Sequence, residues 1–200
     1  DFTERAFDLS EEFDTPVLLR TCTRVAQSQS LVELHDRTER PLRPYKKDPK
    51  KNIMLPANAI PRHAFVEERM KKLAAWAETA PVNRVEMGDT KLGFITAGGC
   101  YGFLREVFPD ASVLKLGMVN PLPVELIRSF REKVDQLIVV EELDPIIENH
   151  CLVHGIRVDH GKDLFGLLGE LSQTKIARAM GLPEKETTAF GEPVPPRPPV

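Results

Sequence analysis

Cysteine is scarce in this chain, and its spacing excludes the familiar cysteine-based metal sites. The 200 residues include only Cys22, Cys100 and Cys151, and no two of them form a Cys-x-x-Cys pair. We therefore expect no zinc ribbon and no iron–sulfur cluster held by this chain alone. An odd, scattered set of cysteines also argues against a disulfide framework and favours a reducing compartment such as the cytoplasm.

Strong charge and long apolar runs are missing as well. A net charge of −3 offers no basic surface for nucleic acid, and no apolar run is long enough to span a membrane. The hydrophobic content of 42% is ordinary for a chain with a real core.

Prolines concentrate at 41–61 and 192–199, which indicates linkers. Because the chain opens without Met on a helical pattern, we expect an internal fragment of a larger protein.

Short apolar runs alternate with helical patterns in the second half of the chain. Runs at 92–97, 112–116 and 137–140 predict buried strands. Strands that alternate with helices predict an α/β fold with a mostly parallel sheet. Further patterns predict helices over 1–14, from Pro61, from Pro123, over 145–153 and over 170–180, and short strands at 17–19 and 156–158. Asp144, directly before Pro145, is the expected N-cap of the helix over 145–153.

The turn after the first of these strands is the leading candidate site. Gly98-Gly99 lies where a strand passes into a helix, so its backbone N–H groups could hold a phosphate or a carboxylate. The complete G-x-G-x-x-G fingerprint is missing, however, and this favours a tight turn with close helix–strand packing. Sites in parallel sheets gather at the carboxyl ends of strands, which keeps this turn of interest.

Two pairs of charged residues also follow strand ends. Glu141 and Glu142 come directly after an apolar strand, where a carboxylate could act as an acid or base or pair across an interface. Structural pairing is the favoured interpretation. Arg20 and Arg24 flank the predicted strand end near residue 19, and could meet an anionic ligand or a partner carboxylate.

Two metal-site patterns are incomplete. His150 and His154 have the i, i+4 spacing that lets two imidazoles share a metal, but no third ligand is evident. Gly88-Asp89-Thr90 with Asn120 resembles a thiamine-diphosphate motif, in which Asp and Asn bind Mg²⁺. The buried strand that should precede this motif follows it instead. We therefore assign no catalytic, cofactor-binding or metal-binding residue.

Several stretches together resemble the alpha subunit of indolepyruvate ferredoxin oxidoreductase, in the 2-oxoacid:ferredoxin oxidoreductase family. They are residues 10–21, 54–59, 93–98, 113–118 with 121–123, and 139–143. The resemblance implies a remnant of the pyrimidine-binding domain at 1–27 and a linker at 28–60. A three-layer domain like the C-terminal domain of transketolase follows at 61–182, and a Pro-rich linker at 183–200.

The resemblance also implies a parent enzyme and a role for this part of it. The parent would oxidise aryl pyruvates with coenzyme A and ferredoxin, using thiamine diphosphate, Mg²⁺ and 4Fe-4S clusters. This chain lacks the segments that hold those cofactors, so the resemblance implies a non-catalytic assembly domain that contacts other domains of its chain and a beta subunit. The expected interface residues are Gly98, Gly99, Tyr101, Glu141, Glu142, Arg20 and Arg24.

Two alternatives stay open. The chain could be a nucleotide- or coenzyme-A-binding module that works at Gly98-Gly99, which titration with coenzyme A, NAD and thiamine diphosphate would test. It could also be the same domain of an oxidoreductase for pyruvate or a branched-chain 2-oxoacid, since substrate choice is made in regions that this chain lacks. The sequence does not give the oligomeric state.

Overall fold

The chain folds into two compact units, residues 1–76 and 77–200. The computed structural model describes residues 2–37, 39, 42 and 44–183, with the side chain of Arg24 left out. Most of the predicted Pro-rich linker at 183–200 lies outside these residues. Among the described residues, no helix combines the length and apolar character that crossing a membrane requires.

The first unit is helical. Its helices are α1 (Phe2–Phe13), α2 (Thr23–Gln27), α3 (Pro49–Asn52) and α4 (Pro56–Ala77), the last ending one residue into the second unit. The predicted first helix is confirmed, and the ring of Phe13 packs edge-on against Trp76 with centroids 6.1 Å apart. The helix predicted from Pro61 begins five residues earlier, at Pro56, and Pro61 lies inside it.

The strand predicted at 17–19 is wrong. These residues belong to no helix or strand, and Leu18 is 93% exposed. A strand is stable only where a neighbour takes up its backbone N–H and C=O groups. No described strand pairs with this run, so its apolar side chains alone do not make it part of a sheet.

The second unit alternates strands and helices as predicted. Its elements are β1 (Arg84–Glu86), β2 (Asp89–Ala97), α5 (Cys100–Val107), β3 (Ala111–Leu116), α6 (Val124–Arg131), β4 (Gln136–Val140), α7 (Ile146–Val153), α8 (Lys162–Phe165) and α9 (Gln173–Ala179). The four strands form one sheet in the order β1-β3-β2-β4. Strand β2 is parallel to both β3 and β4, and only β1 is antiparallel, so the predicted mostly parallel sheet is confirmed.

Helices cover both faces of this sheet. Successive strand residues point to opposite faces, so Ile95 packs in a core with α6 and α7, whereas Phe94 packs in a second core with α5, α8 and α9. Each fully buried Phe or Ile contributes about 1.5–3 kcal/mol relative to an exposed one. The result is the three-layer α/β architecture that the resemblance to the transketolase C-terminal domain implies.

Gly93 marks a close approach between β2 and the segment before β4. A β-carbon on this residue would lie 2.6 Å from two methyl carbons of Val134, which lies just before β4. Such a distance is far below a normal carbon–carbon contact. Glycine at this position therefore lets the segment before β4 pack directly onto β2.

The strand predicted at 156–158 is also wrong, although the chain does reach the edge of the sheet there. Pairing begins two residues later, where the N–H of Val139 donates to the carbonyl of His160 at 2.9 Å. The carboxylate of Asp159 accepts the N–H of Leu137 at 2.8 Å. The side chain of Asp159 thus accepts a backbone N–H group of β4 at this edge of the sheet.

Candidate functional site

The topology brings five of the seven predicted interface residues to one end of the sheet, where the parallel strands have their carboxyl ends. Strands β2 and β4 are adjacent and parallel, so the Gly98-Gly99 turn after β2 and the Glu141-Glu142 segment after β4 leave the sheet at the same end. Buried Thr96 joins the two strands there, because its hydroxyl donates to the Val140 carbonyl at 2.8 Å. The helices after β2 and β4 cover opposite faces of the sheet, so the carboxyl ends of these two strands form a topological switch point.

The two predicted arginines are not part of this group. Arg20 is exposed and belongs to the first unit. The side chain of Arg24 lies outside the described part of the structure. Their interface role therefore stays a prediction.

The Gly98-Gly99 turn is exposed and open. Gly98 has a φ of 59°, a left-handed conformation that favours glycine. Gly99 has ordinary helical angles, with φ −65° and ψ −27°. A β-carbon on either residue would meet no atom within 4 Å, so the expected close helix–strand packing is wrong, while the tight turn is confirmed.

Tyr101 is the centre of a charged cluster that sequence reasoning missed. Its hydroxyl donates to the carboxylate of Glu86, with distances of 2.9 and 3.1 Å to the two oxygens. The Lys115 ammonium lies 4.7 Å from the centroid of the Tyr101 ring, and the guanidinium groups of Arg84 and Arg105 lie 5.9 Å from it. We call these five residues the Tyr101 cluster.

Glu86 is held firmly by its neighbours in this cluster. Arg105 donates to it from Nε at 3.2 Å and from a terminal nitrogen. Burial opposes ionisation most strongly, yet the hydrogen bonds from Arg105 and Tyr101 hold the pKa of Glu86 below its usual value. Arg105 also donates to the carbonyls of Pro109 and Ala111 at 3.0 Å, so it ties α5 to the segment that enters β3.

Glu141 caps helix α7. Its side chain is 8% exposed, and its two carboxylate oxygens accept the N–H groups of Ile147 at 2.9 Å and Glu148 at 3.1 Å. The expected cap, Asp144, is exposed and its side chain does not cap the helix. Burial raises the pKa of Glu141, and the two backbone hydrogen bonds oppose that rise. Lys162 donates to the backbone carbonyl of the same residue.

Glu142 is exposed, and it holds a different segment. Its carboxylate accepts the N–H of Leu171 at 2.9 Å, just before α9. The next residue, Leu143, has a φ of 57°, which is rare for a branched side chain. Both glutamates therefore contact the backbone of their own chain, which favours their structural interpretation over an acid–base role.

The histidine pair gains no third metal ligand among the described residues. The rings of His150 and His154 lie 4.5 Å apart, and Nε2 of His150 is buried without a hydrogen-bond partner. Burial lowers the pKa of His150, and its neighbour His154 lowers it further. Over the described residues, no group of three or more His, Cys, Asp or Glu side chains could hold a metal ion.

The residues of the weak thiamine-diphosphate pattern lie at opposite ends of the sheet. Asp89 begins β2 and pairs with Ala111 at the start of β3, whereas Asn120 follows the far end of β3. The six residues of β3 span about 16 Å at the usual rise of a strand. Asp89 and Asn120 therefore do not fit a shared Mg²⁺ site, and we derive no chemistry through that cofactor.

Sequence comparison connects the chain to named oxidoreductases. No family model matches it. It is 34% identical over 218 residues to indolepyruvate oxidoreductase subunit IorA of Methanothermobacter thermautotrophicus, and 31% identical over 222 residues to the subunit of Archaeoglobus fulgidus. Each match covers 100% of this chain and 35% of the relative. The chain thus spans about a third of the length of these curated relatives.

A solved structure is also similar to part of the chain. It is 2-oxoglutarate:ferredoxin oxidoreductase from Magnetococcus marinus with 2-oxoglutarate, coenzyme A and succinyl-CoA bound. The TM-score is 0.48 with 18% identity, over 64% of this chain and 23% of that one. The sequence matches, which extend along the whole chain, confirm its predicted resemblance to the indolepyruvate oxidoreductase subunits.

Proposed function

We propose that this chain is an assembly domain, without catalytic residues of its own, in an indolepyruvate:ferredoxin oxidoreductase. The observation that carries the proposal is the similarity of the whole chain to a third of the IorA subunits. We propose the domain limits given above: 1–27, 28–60, 61–182 and 183–200. The alternatives of a pyruvate or branched-chain 2-oxoacid enzyme have no separate support in the described residues.

The contacts of Glu141 and Glu142, at the carboxyl end of β4, support an assembly role. The carboxylates of Glu141 and Glu142 both accept backbone N–H groups of their own chain. A general acid or base needs a carboxyl group within reach of a reacting proton. The open turn at Gly98 and Gly99, by contrast, leaves room for a neighbouring backbone or side chain to approach.

The proposed interface is therefore centred on this turn. It includes Tyr101 and Glu142 beside the two glycines, and the remaining predicted contacts are Glu141, Arg20 and Arg24. Its partners in the proposal are other domains of the same protein and a beta subunit. Exposed glycine offers backbone without a covering side chain, which suits close contact with another chain.

The activity belongs to the whole protein in this proposal. That protein would oxidise aryl pyruvates such as indolepyruvate to aryl-acetyl-CoA, pass electrons to ferredoxin, and work in the cytoplasm. Thiamine diphosphate would supply the carbanion chemistry, and 4Fe-4S clusters would carry the electrons. Coenzyme A, Mg²⁺ and these two cofactors would be bound by parts of the protein outside this chain.

Two measurements test the proposal. First, the purified chain is incubated with indolepyruvate, coenzyme A, thiamine diphosphate, Mg²⁺ and ferredoxin; we expect no turnover. Second, Gly99→Gln is introduced into both the isolated chain and the full enzyme. Because the turn is open, we expect unchanged thermal stability in the chain but weaker subunit assembly and lower activity in the enzyme.

Glu106→Tyr is the matched control for added bulk. Glu106 is exposed near the end of α5, at the opposite edge of the sheet, so this variant should assemble normally. Turnover by the isolated chain would refute the non-catalytic role. Normal assembly of the Gly99→Gln enzyme would refute the proposed interface.

A further inference from the structure

The Tyr101 cluster carries an excess of positive charge at the edge of the sheet. Arg84 pairs with Lys115 in the antiparallel β1–β3 register, and Glu86 lies two residues along β1 on the same face. Arg84, Arg105 and Lys115 contribute three positive charges and Glu86 one negative charge, so the net charge is +2.

Among the described residues, Lys115 forms no hydrogen bond or ion pair with a carboxylate, although Glu86 attracts its charge. The carboxylate of Glu86 accepts hydrogen bonds from Arg105 and Tyr101, and a terminal nitrogen of Arg84 lies 3.2 Å from one of its oxygens. Within the described part of the chain, Lys115 Nζ has no hydrogen-bond acceptor and lies over the ring of Tyr101 instead. Burial lowers the pKa of Lys115, repulsion from Arg84 lowers it further, and attraction to Glu86 opposes both effects.

The remaining donors of Arg84 are accessible, and Lys115 beside it is partly buried. The side chain of Arg84 is 53% exposed, and its contact with Glu86 uses one terminal nitrogen. Its other N–H groups are therefore available to a ligand oxygen, beside the ammonium of Lys115. The open turn at Gly98 and Gly99 comes just before Tyr101 in the chain, and leaves space for the rest of a ligand.

We propose that Arg84 and Lys115, with the Tyr101 ring as their support, bind the phosphate group of a small phosphate monoester. A phosphate monoester carries about −1.5 to −2 charges at pH 7, which matches the excess of +2, whereas one carboxylate neutralises half of it. The arginine supplies paired donors and the lysine a compact charge, a combination that suits phosphate oxygens. The argument for this site does not rest on the proposed function, but the ligand would share the surface at Gly98, Gly99 and Tyr101 with the proposed domain contact.

The test is an NMR titration of the ¹⁵N-labelled chain with inorganic phosphate and with methyl phosphate, at constant ionic strength. We expect saturable shifts at the amides of Arg84, Tyr101 and Lys115. Lys115→Met and Arg84→Gln should each weaken binding at least tenfold, and Lys115→Arg should retain it. Lys91→Met, which removes an exposed lysine at the amino edge of β2, is the matched control and should bind as tightly as the wild type.

Three results would overturn the site. Chemical-shift changes that do not saturate, or that are equally large around Lys91, would show only a general attraction of phosphate to positively charged side chains. Binding by Lys115→Met as tight as that of the wild type would remove the proposed ligand group; if thermal melting shows that this variant is unfolded, Arg84→Gln decides instead. Acetate binding as tight as phosphate would assign the cluster to carboxylates.

Discussion

Replacement of Glu141 by alanine tests whether this buried carboxylate stabilises the second unit. The substitution leaves the N–H groups of Ile147 and Glu148 without their acceptor at the start of α7. Each buried donor that loses its partner costs about 1–3 kcal/mol. The variant no longer buries the charge of Glu141, and water can enter the first turn of α7. Both effects offset part of this cost. We therefore expect a net loss of about 2–3 kcal/mol, at or above the upper end of the range for an ordinary N-cap, because two donors lose their acceptor.

Thermal and urea unfolding of the chain measure this loss. For a unit of about 100 residues, 1 kcal/mol corresponds to about 4 °C, so the melting temperature should fall by about 10 °C. Glu106→Ala is the control, since Glu106 is an exposed glutamate of α5. If the unfolding free energies of Glu141→Ala and Glu106→Ala agree within about 0.5 kcal/mol, the capping argument is refuted.

The pH dependence of the same variants reports the charge of Glu141. Burial raises the pKa of this carboxyl above 4.5, so the folded protein binds the proton more tightly than the unfolded chain. The wild type should therefore gain stability relative to Glu141→Gln as the pH falls from 7 through the folded pKa, and the gain should level off below about 4.5. A difference that stays constant with pH would contradict the raised pKa.

Two other features of the chain give measurable outcomes. Burial raises the pKa of the Cys100 thiol to about 11 and that of Cys151 to about 12, so a thiol reagent at pH 8 should label exposed Cys22 rapidly and these two only after unfolding; rapid labelling of all three would contradict the structure. Gly93→Ala should lower the unfolding free energy by about 1–3 kcal/mol, because its β-carbon would lie 2.6 Å from a valine side chain, whereas Gly99→Ala should be close to neutral. Equal stabilities of the two alanine variants would argue against that contact.

The sheet could be predicted because its signals are local. The runs at 92–97, 112–116 and 137–140 are apolar and bounded by glycine, proline or polar residues, and each became a strand. The turn at Gly98-Gly99 was also local. The run at 17–19 has the same apolar character, but a strand depends on a distant partner, and sequence does not show whether one is present.

The site was harder to predict because its contacts join distant positions. Glu141 caps a helix from six residues before Ile147, beyond the reach of an ordinary N-cap, so the pattern Asp144-Pro145 gave the wrong residue. The Tyr101 cluster depends on the register of β1 against β3. The alternation of Arg84 and Glu86 around one apolar residue was its only local signal.

Short segments close both sides of the sheet, and this limits how the molecule can associate. The three residues of β1 cover the outer side of β3, and the backbone at His160 covers part of β4. Exposed strand edges are the usual route to unwanted fibril-like aggregation. Because the edge strand β1 has only three residues and His160 occupies part of the β4 edge, the described sheet offers a neighbouring polypeptide little unpaired backbone to extend, which favours association through loops and side chains.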